Sequence, residues 1–382
     1  MAGYKPPTSR CYICPSTTNL FPCSRCSAVE YCSPSHQSQD ATRHSTECNN
    51  IHESHQRFQT VHNGIKQTYN VTDEGMLPLF NRYIDGALFK HPLSIEYLTA
   101  SEEYSNSLLS VEGSVAALEL VYEHAVWMHC IAHDQNEPGF FVTAALLRMG
   151  RDEVCFRYLR AHEDDGAVRS MHSPAVELRR DLLGGFVNQP GIVDMLWGKI
   201  KIGEYITATS GLAAMLILFW WINDLKNIEN FREVEGWLIQ NLNRDVVYMI
   251  AETIPQTDFV RTKRLYENDN QKLIEKMETW MEYYFLKLAY QHAGIWQRLL
   301  EGIDNNGRFS SQFGSANLPA ELCWRAWKDT PGAAEYLRGM VPKAVQWFKE
   351  KESLEQVKVA GGIRVDWEEE QMILFGEFLS TV

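Results

Sequence analysis

Over its 382 residues the sequence has no Walker-type phosphate loop, no Gly-x-Gly-x-x-Gly turn and no Gly-x-Ser-x-Gly nucleophile elbow. Their absence removes the commonest sequence signs of nucleotide, dinucleotide and ester chemistry. Long apolar runs are missing as well. The longest, Gly211–Ile222 (GLAAMLILFWWI), falls short of the roughly 20 residues that a bilayer crossing needs, so a buried helix and no membrane partner are expected. The opening MAGYKPPTSR is polar and proline-bearing, with no basic start leading into an apolar core, so no secretory signal is expected. Positive charge is scarce. The formal net charge is −13, and the first 48 residues carry four basic and three acidic side chains, so the whole acidic excess lies beyond them. A body of that sign is a poor surface for phosphate backbones, and nucleic acid is not expected as its partner. With no basic cluster of import-signal density, a cytoplasmic or nuclear protein is expected, the former favoured.

What is present is 45% apolar and 12% aromatic residues, enough to build a core. Cysteine is unevenly placed. Six of the nine (Cys11, Cys14, Cys23, Cys26, Cys32 and Cys48) fall before residue 49, whereas Cys130, Cys155 and Cys323 are scattered. Close C-x-x-C pairs without a secretory signal point to metal rather than disulfides. Cys11/Cys14 and Cys23/Cys26 are two such pairs, and adding Cys32, His36, His44 and Cys48 gives eight ligands, the complement of two tetrahedral zinc sites. A C-x-x-C turn presents two thiolates to one metal, and i, i+4 pairs present two ligands on one helix face. Ser33-Pro34 reads as a cap and first residue of a short helix carrying His36, and Asp40 as the cap of a second carrying His44 and Cys48. Spacing alone leaves open which pairs share a metal.

The run C-x2-C-x8-C-x2-C-x4-Y-C-x3-H-Q-x6-H-x3-C, from Cys11 to Cys48, closely resembles the MYND-type zinc finger, with Tyr31 before Cys32 and Gln37 after the sixth ligand. The resemblance implies an interleaved arrangement of two Zn2+ per chain: Cys11, Cys14, Cys32 and His36 on one, Cys23, Cys26, His44 and Cys48 on the other. It also implies a protein-interaction module, some members of which bind short Pro-containing peptides. Two positions depart from the family pattern. The sixth ligand, often Cys, is His36, and the Trp common five residues later is Ala41, which counts against peptide binding. Filled by four protein ligands each, the sites are expected to be structural, since catalytic zinc keeps an open position.

From Ile51 onward apolar residues recur at helical spacing and strand-like alternation is nearly absent. Helices are expected at 51–70, 79–89, 110–134, 139–149, 152–162 and 176–185, and again at 205–223, 231–241, 258–293, 319–328, 333–351 and 368–381. The linker Gly150–Asp152 supplies a C-terminal glycine and an N-cap. No repeat period emerges. The fold class expected is therefore a small zinc-stabilised finger, residues 1–50, followed by a mainly all-α bundle or helix-pair array, residues 51–382. A break is expected near 302–318, where GIDNNGRFSSQFGSANLP is rich in turn formers, and VKVAGGIRV (Val357–Val365) reads as a hairpin. Together with LLRMGRDEVCFRYLR (Leu146–Arg160), this combination resembles the MYND-bearing proteins with a helical C-terminal body found in fungi.

Other constellations read as structural. His129 and His133 stand at i, i+4 with no glutamate at zincin spacing, and His52-Glu-Ser-His55 is one residue short of that motif. Asp304–Gly307 lacks the ligands of a calcium loop. His162–Asp165 reads as a solvated acidic end, and Trp220, Trp221, Trp280, Tyr283, Tyr284 and Phe285 as core aromatics. Some MYND fingers are inserted in SET-type lysine methyltransferases, but here no Asn-His pair occurs and the body reads helical. The leading expectation is a non-enzymatic protein–protein adaptor with no catalytic residue. The rivals are a SET-like or unrecognised enzyme in the helical body, and nucleic-acid binding by the finger in transcriptional regulation.

Overall fold

The computed structural model describes residues 6–73, 75, 76, 79, 92–131, 137–164, 208–262, 270–292, 294–308 and 318–340. The described residues fall into two compact units, one ending at Gly150 and one beginning at Arg151. The expected hairpin at 357–365, the expected helices at 176–185 and 368–381, the helix expected at 79–89 beyond residue 79, residues 341–351 of the helix expected at 333–351, and His133 lie outside the described residues.

The first unit opens on a two-stranded antiparallel ribbon, β1 (Phe21–Pro22) and β2 (Glu30–Tyr31), in register Phe21 to Tyr31 and Pro22 to Glu30. Helix α1 follows and runs unbroken from Pro34 to Tyr69. Ser33 is extended (φ −157°, ψ 151°) and its hydroxyl accepts from His36 N, with Pro34 in the first turn, as expected of a cap followed by proline. Asn70 ends the helix in the left-handed region, φ 50°. The two finger helices and the helix at 51–70 expected here are thus one. Asp40 does not cap a second helix: it lies mid-helix, 1% exposed, and its carboxylate accepts from Tyr31 Oη at 2.8 Å and Arg43 Nε at 2.6 Å. Between Pro34 and Gly64 there is neither glycine nor proline to interrupt the helix. The finger-to-body boundary expected after residue 50 therefore falls inside a continuous element.

Helices α2 (Pro92–Leu109), α3 (Val115–Ile131) and α4 (Glu137–Met149) complete this unit. α2 is absent from the sequence reading because its surface is rich in Ser, Thr and Glu, which dilute the apolar period. The core is a cluster of Val61, Ile65, Met76, Tyr97, Ala100 and Met128, with Phe58 and Trp127 packed against it. Arg148 of α4 donates to Leu109 O at 2.7 Å and Val111 O at 3.1 Å, satisfying carbonyls that the end of α2 leaves without helical partners. Gly150, at φ 68°, closes α4 in the conformation glycine tolerates best.

In the second unit, α5 (Asp152–Asp164), α6 (Ala208–Asn241), α7 (Arg244–Thr253), α8 (Asp258–Thr262), α9 (Gln271–Gln291), α10 (Ile295–Asp304) and α11 (Leu318–Lys328) follow in order, with residues 333–340 helical. The helices expected at 205–223 and 231–241 are one, because Asp224–Asn230 contains no breaker. α6 is long and apolar enough to cross a membrane, yet 94% of its apolar window is buried within the protein. Trp220 and Trp221 are core residues that donate to Thr330 Oγ1 at 2.9 Å and Asp152 Oδ2 at 2.6 Å. A side chain at Gly211 would meet Leu288 of α9 at 2.5 Å, so glycine sets how closely these two helices approach.

Asp152 was expected to cap α5. Its carboxylate instead accepts from Trp221 Nε1, Asp258 N and Phe259 N, so it caps the start of α8. Asp224 does the same one step earlier, accepting from Gln256 N, Thr257 N and Thr257 Oγ1. The stretch expected as a break near 302–318 begins inside α10, and Arg298, 4% exposed, pairs with Glu301 at 3.0 Å and with Glu321 of α11 at 2.6 Å. Asp304 pairs with Arg338 at 2.5 Å, and the Asp304–Gly307 turn is a helix end.

Two imidazoles of the first unit flank Phe58 and a third lies on the neighbouring Tyr104. His124 meets Phe58 edge-on at 4.6 Å, His62 lies 5.7 Å from it, and His55 stacks on Tyr104 at 4.8 Å. Burial, reinforced by His55, lowers His124 to about 4. Below about pH 6.5 the unfolded chain therefore binds a proton that the fold refuses, so stability held above that pH is lost as pH falls toward 4. At about 1.4 kcal/mol per pH unit of displacement, this group weakens the unit by roughly 3 kcal/mol over the range. His124→Gln should flatten that part of the decline, as measured by denaturant midpoints at stepped pH.

Candidate metal centre

The finger is built from short pieces whose backbone geometry turns sulfur toward metal. Cys11 N bonds to Ser16 O and Tyr12 N to Glu30 O, which ties the first C-x-x-C turn to β2. Cys23 N bonds to Val29 O and Ser27 N to Cys23 O, closing the second turn. Ser27 takes a left-handed φ of 57° to do so. Cys32 lies at the exit from β2, and His36, His44 and Cys48 all stand on α1.

All eight ligands named by the sequence come together in two groups of four. Cys11, Cys14, Cys32 and His36 form one, Cys23, Cys26, His44 and Cys48 the other, and within each group the ligand atoms lie within 4.8 Å of one another. In the first group, Cys32 Sγ is 3.2 Å from His36 Nδ1, Cys11 Sγ is 3.5 Å from the same nitrogen, and Cys14 Sγ is 3.6 Å from Cys32 Sγ. In the second, Cys26 Sγ is 3.2 Å from His44 Nε2 and Cys23 Sγ is 3.8 Å from Cys48 Sγ. A zinc ion about 2.3 Å from sulfur and about 2.0 Å from nitrogen sets the edges of its tetrahedron at about 3.5 to 3.8 Å. Three of the separations are edges of that size and the two shortest sulfur–nitrogen ones, at 3.2 Å, are a few tenths of an ångström shorter, and the donor set of three thiols and one imidazole per group fits zinc. These residues form two Zn2+ sites per chain, and an ion at each would cross-link its four ligands.

The electrostatics point the same way. Burial opposes ionisation of Cys11, but backbone N–H groups of Ile13, Cys32 and Cys14 outweigh it and bring the thiol down to about 6. The amides of Cys26 and Arg25 likewise overcome burial at Cys23 and lower it. Cys26 is raised by burial and further by the neighbouring Cys23 and Cys48, and Cys32 is pushed up to about 11 by burial and by Cys14 and Cys11. Sulfurs crowded this closely cannot all carry charge unless a cation sits among them. His44 turns Nε2 to Cys26, and its buried Nδ1 lies 3.5 Å from Glu47 Oε2 without a hydrogen bond to it. No coordination position is left open for water, so the sites are cross-links rather than centres of reaction.

The two groups differ in burial. Every ligand of the second is buried, whereas only Cys11 of the first is, its other three being partly exposed. The sequence reading did not foresee the polar frame around them. Asp40 joins Tyr31 to Arg43, and Arg43 lies over the Tyr12 ring at 4.5 Å. Ala41, where the family often has Trp, is exposed on α1.

A family model described as the MYND finger matches residues 11–48. No curated protein and no solved structure matches the chain.

Native mass spectrometry of the zinc-loaded protein should give two zinc ions per chain and one for Cys11→Ser; a wild-type ratio of one or none would remove the two-site assignment. Asp40→Ala strips the acceptor from buried Tyr31 and should cost about 1–3 kcal/mol, read by thermal denaturation, with Tyr31→Phe costing less. With the family match and both ligand groups coinciding, residues 11–48 of this chain are a MYND finger with two zinc sites, standing ahead of a mostly helical body.

Proposed function

We propose that this protein is a non-enzymatic adaptor, cytoplasmic or nuclear, in which the zinc finger and the helical body each offer a surface to other proteins. MYND fingers are commonly protein-interaction modules, and the closed zinc sites support a structural rather than a reactive role for the metals. The observation that carries the reading for the body is the placement of its exposed apolar side chains. Among the described residues seven large hydrophobic side chains are exposed, and six of them, Val234, Trp237, Leu242, Val246, Tyr248 and Met249, fall within 16 residues at the end of α6 and on α7. Single exposed hydrophobics are ordinary, but a concentration of them marks an interaction site. Trp, Tyr and Met are also the side chains that interfaces favour.

The charges around this stretch select the occupant. Glu233, Glu235, Asp245 and Glu252 flank it against Arg244 and Arg232, the latter paired with Glu229 at 2.7 Å, so the rim is acidic and the partner is an amphipathic helix whose apolar face has Lys or Arg at its margins. A second copy of this chain would bring the same acidic rim and be repelled, and so would an anionic membrane.

The test uses the full chain and a synthetic helical leucine/lysine peptide, with affinity read by fluorescence anisotropy. Trp237→Ser combined with Met249→Ser should weaken binding at least about tenfold, as loss of central interface anchors does, and added salt should weaken the wild type. Unchanged affinity in the double variant would overturn the proposal, as would wild-type self-association that the two substitutions abolish.

A further inference from the structure

We propose that the two zinc sites are unequal: the buried one holds together the helical unit that ends at Gly150, while the exposed one can be emptied first and leave that unit folded. The difference follows from what each set of ligands is tied to.

At the buried site, His44 and Cys48 lie in the middle of α1, and Ile51, 1% exposed, follows Cys48 by one turn. Further along the same helix come Val61 and Ile65, part of the unit's core. The other two ligands, Cys23 and Cys26, lead directly into Ala28 and Val29, both wholly buried. The Ala28 carbonyl accepts from Ser114 Oγ at 2.5 Å, and the same hydroxyl accepts from Ala117 N at 3.2 Å, which caps α3. Zinc at this site thus fastens the 23–29 turn to α1, and that turn in turn holds the start of α3. Release of the ion leaves a buried carbonyl and hydroxyl without a fixed partner and frees the sulfur cluster inside the unit.

At the exposed site the backbone ties are local, and the further contacts are made by Tyr12, whose ring meets His44 edge-on at 6.0 Å and lies under Arg43. Cys11 and Cys14 belong to the chain before β1, held through Ser16 and Glu30. Cys32 and His36 flank the first turn of α1, which Ser33 caps by itself. Emptying this site loosens an N-terminal loop and one helical turn, with no core residue of the α2–α4 helices attached. Its three partly exposed ligands also give a chelator direct access. Release here is ligand exchange: the chelator's donors replace the thiolates on zinc and the freed thiolates take up protons, with no change of oxidation state.

The experiment uses the full zinc-loaded chain mixed with the chromogenic chelator pyridylazoresorcinol, followed in parallel by hydrogen exchange of the amides of α2, α3 and α4. Release should occur in two phases of one equivalent each, the first at least about tenfold faster, as expected for a local opening against a cooperative one. Protection of α2–α4 should survive the first phase and disappear with the second. Cys14→Ser should hold one zinc with that protection intact. Ser114→Ala, which touches no ligand, should accelerate the second phase and leave the first unchanged. A single phase of two equivalents, loss of protection with the first equivalent, protection that outlasts the second, or a second phase indifferent to Ser114→Ala would each overturn the proposal.

Discussion

The first unit depends on one constraint: three zinc ligands and a hydrophobic core share a single uninterrupted helix. At 3.6 residues per turn, the eight-residue step from His36 to His44 rotates by about 80°, so the two imidazoles face different metal sites. The four-residue step from His44 to Cys48 returns to nearly the same face and places both ligands on one ion. Three residues on, Ile51 enters the core, and Val61 and Ile65 continue it. Insertion of one residue before Cys48 would turn everything beyond it by about 100° and detach either the metal or the core. The sequence between Pro34 and Gly64 contains no residue that would relax the register.

The same rigidity explains the buried polar groups on the finger side. A helix held at its start by metal leaves no slack to bring Asp40 to water, so its carboxylate is answered where it stands, by Tyr31 and Arg43. Neutralisation is partial by design of position: Arg43 is largely exposed while Asp40 is not, so one end of the pair remains hydrated and the buried end is satisfied by two donors. The second unit uses carboxylates in a comparable manner. Asp152 and Asp224 each accept three donors, four of the six being backbone N–H groups at or just before the start of α8. A five-residue helix such as α8 has most of its amides without helical partners, and these two side chains supply them.

The ligand set was legible because metal chemistry admits few residue types at few spacings, and Cys11 to Cys48 uses all of them. The division of the eight ligands came from family resemblance, and the structure groups them in that way. The all-α character of the body was legible for a similar reason: long stretches of helical period need no tertiary information. Helix ends were not. Asp40 and Asp152 are residues that favour caps, and each is drawn away by a partner distant in space, Tyr31 in one case and the start of α8 in the other. No local pattern distinguishes an aspartate that caps its own helix from one that caps another. The joining of 205–223 and 231–241 into α6 has the same origin, since the polar segment between them reads as a linker until burial on either side is known.

Groups satisfied within the fold and groups left at its surface then separate along the chain. The buried zinc ligands, Tyr31, Asp40 and the clamped start of α8 have their bonding capacity turned inward. Apolar surface is the one kind of interaction that folding leaves unspent in quantity, and among the described residues it is concentrated on the end of α6 and on α7. The two halves of α6 show the contrast within one helix. Residues 208–222 are buried without exception, whereas Val234 and Trp237, between three and just over four turns beyond, are 49% and 65% exposed. A helix that buries every face at its start and bares Trp at its end obeys the hydrophobic effect in the first half and departs from it in the second. For a protein whose zinc sites each have four protein ligands, that departure is the feature that an association with another protein would explain.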